Sequence, residues 1–153
     1  MQEIYLTRLG RKKLVDKLSE LQKKKSIIQD ELAQAIELGD LKENFEYHAS
    51  KEALTNLMDR ISKIVYKLSC SKIIEEQDIS LDKVFIGVTV EIRSDGNNYK
   101  YTIVDSEEAN PKENKISVQS PLVQGLLGHK VNDVVEVKLP IGKKKIKILR
   151  ISR

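Results

Sequence analysis

The stretch LVDKLSELQKKKSIIQDELAQAIELGDLKENFEYH, Leu14 to His48, decides the fold. Its apolar positions fall at Leu14, Leu18, Leu21, Ile28, Leu32 and Ala35, with Lys25 in the slot between. Steps of four and three residues are the seam of a coiled coil. The same period resumes at Tyr47, Leu54, Leu57, Ile61, Ile64 and Leu68, with Ser50 filling the open place. Between the two runs stand Gly39, Asp40 and Glu43. So short a connection predicts an antiparallel hairpin in which each seam buries the other. Thr7 is the expected N-cap of the first helix. Helices of this length give a rod roughly 40 Å long.

Past Glu75 the period changes. IIEEQDIS reads as a short polar linker, and then Val84 to Ile92, Tyr99 to Val104, Lys115 to Gln119, Val134 to Leu139 and Lys145 to Ile151 show alternating or β-branched runs. Asp95-Gly96-Asn97 is a hairpin-turn signal, because Gly and Asn tolerate positive φ. Ser120 as N-cap, Pro121 at the first helical position and Gly128 past the end frame a short helix. The expected class is α+β: a coiled-coil hairpin over residues 1–76, then a small antiparallel sheet domain with one short helix over residues 77–153.

The bulk composition narrows the function classes. Charged residues make up 33% of the 153 and the net charge is +4, a mild basic excess that admits an acidic or nucleic-acid partner. One cysteine cannot close an intramolecular disulfide, and with two histidines it supplies no ligand set for a structural zinc. The opening residues lack a signal-peptide apolar core and no stretch approaches the ~20 apolar residues of a membrane span. A soluble cytoplasmic protein is expected.

Two readings of the apex stand side by side on the residues alone. In the first, Gly39 ends one helix in the left-handed conformation, and Asp40 with Glu43 forms a capping box for the next. In the second, the two carboxylates form part of a site for a hard divalent cation such as Mg²⁺, which takes oxygen ligands and keeps several waters. A site with two protein ligands binds metal weakly until another macromolecule completes it.

GDLKENFEYHASKE (Gly39 to Glu52) resembles the signature of the Gre transcript-cleavage factors of bacterial RNA polymerase. KISVQSPLVQGLLGHKVNDVVEV (Lys115 to Val137) resembles that family's C-terminal signature, and YLTRLGRKKLVDKLSEL resembles its start. The tip and the SPLVQGLLG segment look more GreA-like than GreB-like. The resemblance implies a coiled coil followed by an FKBP-like domain. It further implies that the coiled coil enters the polymerase's secondary channel and stimulates Mg²⁺-dependent cleavage of backtracked RNA, rescuing arrested complexes, without being a nuclease itself. By match of motif, Asp40 and Glu43 inherit the catalytic and metal-holding roles, the Mg²⁺ being shared with the polymerase. Gly39, Leu41, Asn44, Glu46 and Tyr47 inherit tip support, and Tyr47 also occupies a seam position. The implied partners are the polymerase and the nascent RNA 3′ end, met by a monomer. Lys42 stands where many members carry Ser, and Phe45 where many carry Ala.

Other residues keep plainer alternatives. Eight cations between Arg8 and Lys25 face only Asp16 and Glu20. Solvation explains them, and the resemblance makes Arg11, Lys12, Lys17 and Lys24 a basic patch toward RNA or the channel wall. Ser120, Pro121, Leu122 and Gly128 read as a helix frame, which the resemblance turns into a polymerase-docking surface. Lys143-Lys144-Lys145 reads as a solvated turn, and His48, His129 and Cys70 as surface or packing residues. A prolyl isomerase would want an aromatic-lined hollow, and the second half offers only Phe85, Tyr99 and Tyr101. A polymerase inhibitor that lacks cleavage would want a rearranged tip, whereas the Asp-x-x-Glu spacing is kept.

Overall fold

A computed structural model describes residues 3–39 and 44–153. In chain order the elements are β1 (Ile4–Leu6), α1 (Arg8–Glu37), α2 (Phe45–Cys70), β2 (Ser71–Ile73), β3 (Thr89–Ser94), β4 (Asn97–Val104), β5 (Lys115–Ser117), α3 (Pro121–Leu126), β6 (Val134–Leu139) and β7 (Gly142–Ser152). The chain forms two compact units, Arg11–Ser71 and Lys72–Arg153, the second joined by the residues that precede Arg11. That grouping differs from a linear division after residue 76, because the first strand and first helical turn associate with residues far along the chain.

In the helical unit the heptad positions are the covered ones. Leu14, Leu21 and Ala35 of α1 and Leu57 and Ile64 of α2 are buried. Leu18, Lys25, Ile28 and Leu32, with Tyr47, Ser50, Leu54, Ile61 and Leu68, are half-buried. The seam mixes sealed with partly open levels, since a two-helix contact has too narrow a core to cover every position. Lys25 fits a seam slot because its methylene stem packs while its ammonium reaches water.

The second unit is built on a five-stranded sheet of order β5-β4-β3-β7-β6. Pairings β3–β4, β3–β7 and β6–β7 are antiparallel, as the alternation predicts. The fourth, β4–β5, is parallel, so the sheet is mixed. Two short 3-10 turns at Ser106–Glu108 and Pro111–Glu113 carry the chain back to that edge. Asp95 and Gly96 take positive φ between β3 and β4, as their turn chemistry requires. The predicted first strand starts late: Val84, Ile86 and Val88 are buried but precede β3. Buried Val84, Ile86 and Val88 alternate with exposed Phe85 and half-buried Gly87, so an irregular segment carries the period of a strand. Lys143, Lys144 and Lys145 lie within β7 and not in a turn, which falls at Pro140 and Ile141.

One sheet face is the core, with Val90, Ile92, Ile103, Val137, Ile146 and Ile148 inward beneath Val123 and Leu126 of α3. Gly125 lets α3 approach β6 closely: a Cβ there would stand 2.7 Å from Cγ1 of Val137. Among the described residues, no helix is long and apolar enough to cross a membrane.

Candidate functional site: the hairpin apex

Helix α1 ends at Glu37, with the Leu38 amide donating to the Gln34 carbonyl at 3.2 Å. Gly39 follows at φ +90°, a conformation that costs glycine little and a side-chain-bearing residue more. The left-handed helix end expected there is present. Asp40, Leu41, Lys42 and Glu43 lie outside the described residues.

Helix α2 does not begin with a cap at Asp40. Its N-cap is Asn44, whose Oδ1 accepts from the Tyr47 amide at 3.2 Å. The expected capping box is therefore corrected by four residues. The physical reason is that an N-cap oxygen serves the amides two and three positions on, and the helix that opens at Phe45 puts Asn44 in that place. Asn44 does a second job: its Nδ2 donates to the Ala35 carbonyl on the last turns of α1 at 2.9 Å. One amide side chain thus satisfies an orphan donor of one helix and an acceptor of the other. Glu46 in the first turn of α2 adds negative charge where the helix dipole favours it.

Around this latch, Tyr47 is half-buried in the seam and meets His48 edge-on at 5.3 Å between ring centres. The Lys51 ammonium stands 5.9 Å from the centre of the Tyr47 ring. Tyr47 is held by packing on one side and by the capped amide on the other. Leu38 and Phe45, on either side of the apex in sequence, are 73% and 88% exposed. Among the described residues, no group of three His, Cys, Asp or Glu could hold a metal ion. A metal at this end would have Asp40 and Glu43 as its donors, a two-carboxylate oxygen set suited to Mg²⁺ and too small to retain it alone.

The four basic-patch residues are all exposed on α1. Helical spacing sets Lys17 and Lys24, seven apart, on one face, while Arg11 and Lys12 lie on others. They do not make one stripe, and Lys24 pairs with Glu20 at 3.4 Å. Ser120 caps α3 by accepting from the Val123 amide at 3.3 Å, and Pro121 opens the helix exposed to solvent. Leu122 packs against the sheet core, and Gly128 takes φ +80° while donating to the Val84 carbonyl at 3.0 Å. This segment is a built corner, with Pro121 and Gly128 on its surface.

Three features of the molecule escape sequence reasoning. Asn44 was legible only as tip support, since two polar residues in series each fit a helix start. The start of α1 is held by carboxylates far along the chain: Glu108 accepts from the Thr7 amide at 3.0 Å and from the Thr7 hydroxyl, and Glu75 accepts from the Arg8 amide at 3.1 Å. The Thr7 hydroxyl in turn accepts from Gly10 at 2.9 Å, so the predicted Thr7 cap is present and reinforced. The exposed cations along β7 are the third, and their signal was the alternation of Lys143, Lys145 and Lys147.

Comparison with known proteins places these features in a family. The model for the N-terminal part of transcription elongation factors matches residues 4–73, and that for the GreA/GreB C-terminal part matches residues 78–153. The chain is 42% identical over 153 residues to transcription elongation factor GreA of Thermoanaerobacter pseudethanolicus, covering 98% of each. It is 44% identical over 154 residues to GreA of Alkaliphilus oremlandii, covering 99% of this chain and 97% of that one. Among solved structures it is similar to GreA factor homolog 1 of Thermus thermophilus, at 28% identity and a TM-score of 0.48, over 99% and 100% of the two chains.

Proposed function

The chain belongs to the GreA/GreB family of transcription elongation factors, closest to GreA, and from that premise we propose that it stimulates transcript cleavage by bacterial RNA polymerase. The helical hairpin enters the secondary channel and brings Asp40 and Glu43 to the polymerase's active centre, where backtracked RNA is hydrolysed to give a correctly placed 3′ end. The factor has no nuclease activity of its own. It contributes two carboxylates to a site that the polymerase completes, and it works as a monomer in the cytoplasm.

The observation that carries the reading is the Asn44 cap. Asn44 is the N-cap of α2, so the N-cap position falls to neither Asp40 nor Glu43. With the N-cap assigned to Asn44, the two acids are available in this reading to a partner outside the chain. Their carboxylate oxygens would hold a shared Mg²⁺ and orient the attacking water by accepting its hydrogen bonds. When bound, such an ion supplies positive charge to the developing phosphoryl oxygens. Gly39, Leu41, Asn44 and Tyr47 shape the tip. Pro121 and Gly128, with Ser120 and Leu122 behind them, form the docking corner, and Lys17 and Lys24 with Arg11 and Lys12 meet RNA or the channel wall.

The test uses stalled, backtracked polymerase with labelled RNA and Mg²⁺. Wild-type factor shortens the transcript from its 3′ end. Asp40→Ala and Glu43→Ala each slow shortening on the order of a hundredfold or more, while polymerase binding and helicity persist. Normal cleavage by both variants would overturn the metal role.

A further inference from the structure

Phe45 is the most exposed large apolar side chain among the described residues, at 88%. The ring pairs of the molecule, Tyr5 with Phe85, Tyr47 with His48 and Tyr99 with Tyr101, leave it out. Exposure alone would say little. Its place in the fold says more.

Phe45 is the first residue of α2, directly after the N-cap Asn44. Asn44 is fixed from both sides, accepting from the Tyr47 amide at 3.2 Å and donating to the Ala35 carbonyl at 2.9 Å. The backbone that carries the ring is thereby anchored to both helices. Cα–Cβ bonds tilt toward the N-terminus of a helix, which leans a side chain at this position past the helix end, toward the apex. An aromatic ring turns on only two side-chain torsions, so it loses little freedom on engaging a ligand.

The charge around the ring narrows what it can engage. From Glu37 to Glu46 the sequence carries four carboxylates, Glu37, Asp40, Glu43 and Glu46, against one cation, Lys42; four minus one leaves an excess of three negative charges. Such a segment by itself repels phosphate, so a nucleic acid strand beside it is held by its uncharged bases. Bases of every kind have a flat face that stacks on an aromatic ring. A protein surface is the poorer occupant. The neighbours Glu43, Asn44 and Glu46 are charged or polar, whereas the core of a protein interface is depleted of charge.

We propose that the Phe45 ring stacks on an unpaired base of the backtracked RNA and holds the strand while the carboxylates act at its backbone. The stacking rests on the cleavage role proposed above, which brings single-stranded RNA to this end of the hairpin. Glu43 is two residues from Phe45, so covalent reach keeps the two α-carbons within about 7 Å. Stacked nucleotides of one strand lie about 3.4 Å apart, so a base on Phe45 belongs to a nucleotide close to the phosphate that Glu43 addresses.

The experiment follows shortening of labelled RNA in backtracked polymerase complexes whose unpaired nucleotides are purines, pyrimidines or abasic. Phe45→Ala slows shortening of the purine transcript about five- to a hundredfold. Phe45→Leu, apolar without a ring, slows it likewise, and Phe45→Trp keeps the wild-type rate. Purines stack more strongly, so the loss is smaller with pyrimidines, and on the abasic transcript Phe45→Ala equals wild type. Leu38→Ala, at the exposed apolar residue on the other side of the apex in sequence, leaves the base dependence unchanged. Stacking is overturned if Phe45→Ala or Phe45→Leu shortens the purine transcript like wild type. It is equally overturned if Phe45→Ala loses as much on the abasic transcript, the mark of a contact with the channel wall. Asp40→Ala on the same complexes separates the two levels. If wild type acts, Asp40→Ala does not and Phe45→Ala is unaffected, the stacking alone falls; if wild type shortens no transcript, the cleavage role falls with it.

Discussion

Gly10, in the first turn of α1, lies directly against the carboxyl group of Glu108: a Cβ built on Gly10 would overlap the Glu108 Cδ and Oε1. The same carboxylate accepts from the Thr7 amide and hydroxyl, and the 3-10 turn that presents it is fixed by Asp105, which accepts from the Glu107 amide at 3.1 Å. No acid lies in α1's own first turn, so Glu108 and Glu75 supply the negative charge that a helix N-terminus favours. Glycine in a helix normally costs about 1 kcal/mol against alanine. Here the missing side chain is what admits the capping carboxylate.

Gly10→Ala therefore tests two opposed effects. Alanine gains helix propensity, yet it displaces Glu108 and forfeits charge-assisted hydrogen bonds worth about 1.5–3 kcal/mol. We expect a net loss of about 1 kcal/mol in denaturant unfolding, taken as that difference. In a Glu108→Ala background the sign reverses and Gly10→Ala becomes stabilising, so the double-mutant cycle reads the coupling directly. Additive effects would show that the contact carries no energy.

The Asn44 latch separates structure from function at the apex. Asn44→Ala removes both the Tyr47 cap and the Ala35 contact and is expected to cost about 1–2 kcal/mol. Asn44→Asp keeps a cap oxygen but loses the Nδ2 donor to Ala35, and falls between. Asp40→Ala and Glu43→Ala should leave thermal unfolding of the chain within about 0.5 kcal/mol of wild type, the range of surface substitutions. A large loss of stability in either acid variant would return them to a structural role.

What could be read beforehand follows from the range of the interactions. The seam is local and periodic, so every heptad position from Leu14 to Leu68 was legible, Lys25 and Ser50 included. The Ser120-Pro121 helix start and the Asp95-Gly96 turn are likewise decided by neighbouring residues. The contacts of Thr7 with Glu108 and of Arg8 with Glu75 span 101 and 67 positions, and no local pattern announces them. The parallel β4–β5 edge was hidden for a related reason: alternation identifies a strand but not the direction of its neighbour. At the apex, Asp40-x-x-Glu43 and Asn44 each satisfy a cap pattern, and only the backbone decides for Asn44.

Gly125 gives a prediction of the opposite kind to Gly10. A Cβ there would stand 2.7 and 2.9 Å from the two γ-carbons of Val137, which is itself buried in the core. Val137 has no room to retreat, so Gly125→Ala pushes α3 off β6 and is expected to cost about 1–3 kcal/mol. Val137→Ala opens space at the same place, and the pair of changes together should cost less than their sum. Thermal unfolding of the four proteins decides it.

The turn before β6 contributes a pH dependence. Asp133 is held below the ordinary aspartate range, first by the Lys130 amide donating to its Oδ2 at 2.9 Å and then by His129, whose Nδ1 lies 3.4 Å away. A carboxylate whose folded value is depressed binds protons less readily folded than unfolded. Its contribution to stability is full above the ordinary aspartate value of 3.8 and is lost as pH falls through the lowered folded value. Asp133→Asn should therefore narrow the difference in unfolding midpoint between pH 6 and pH 3, chiefly by lowering the midpoint at pH 6. His129→Gln removes only the lesser influence and should narrow it less. An acid limb identical in wild type and Asp133→Asn would show that the Lys130 amide bond carries none of the stability of this turn.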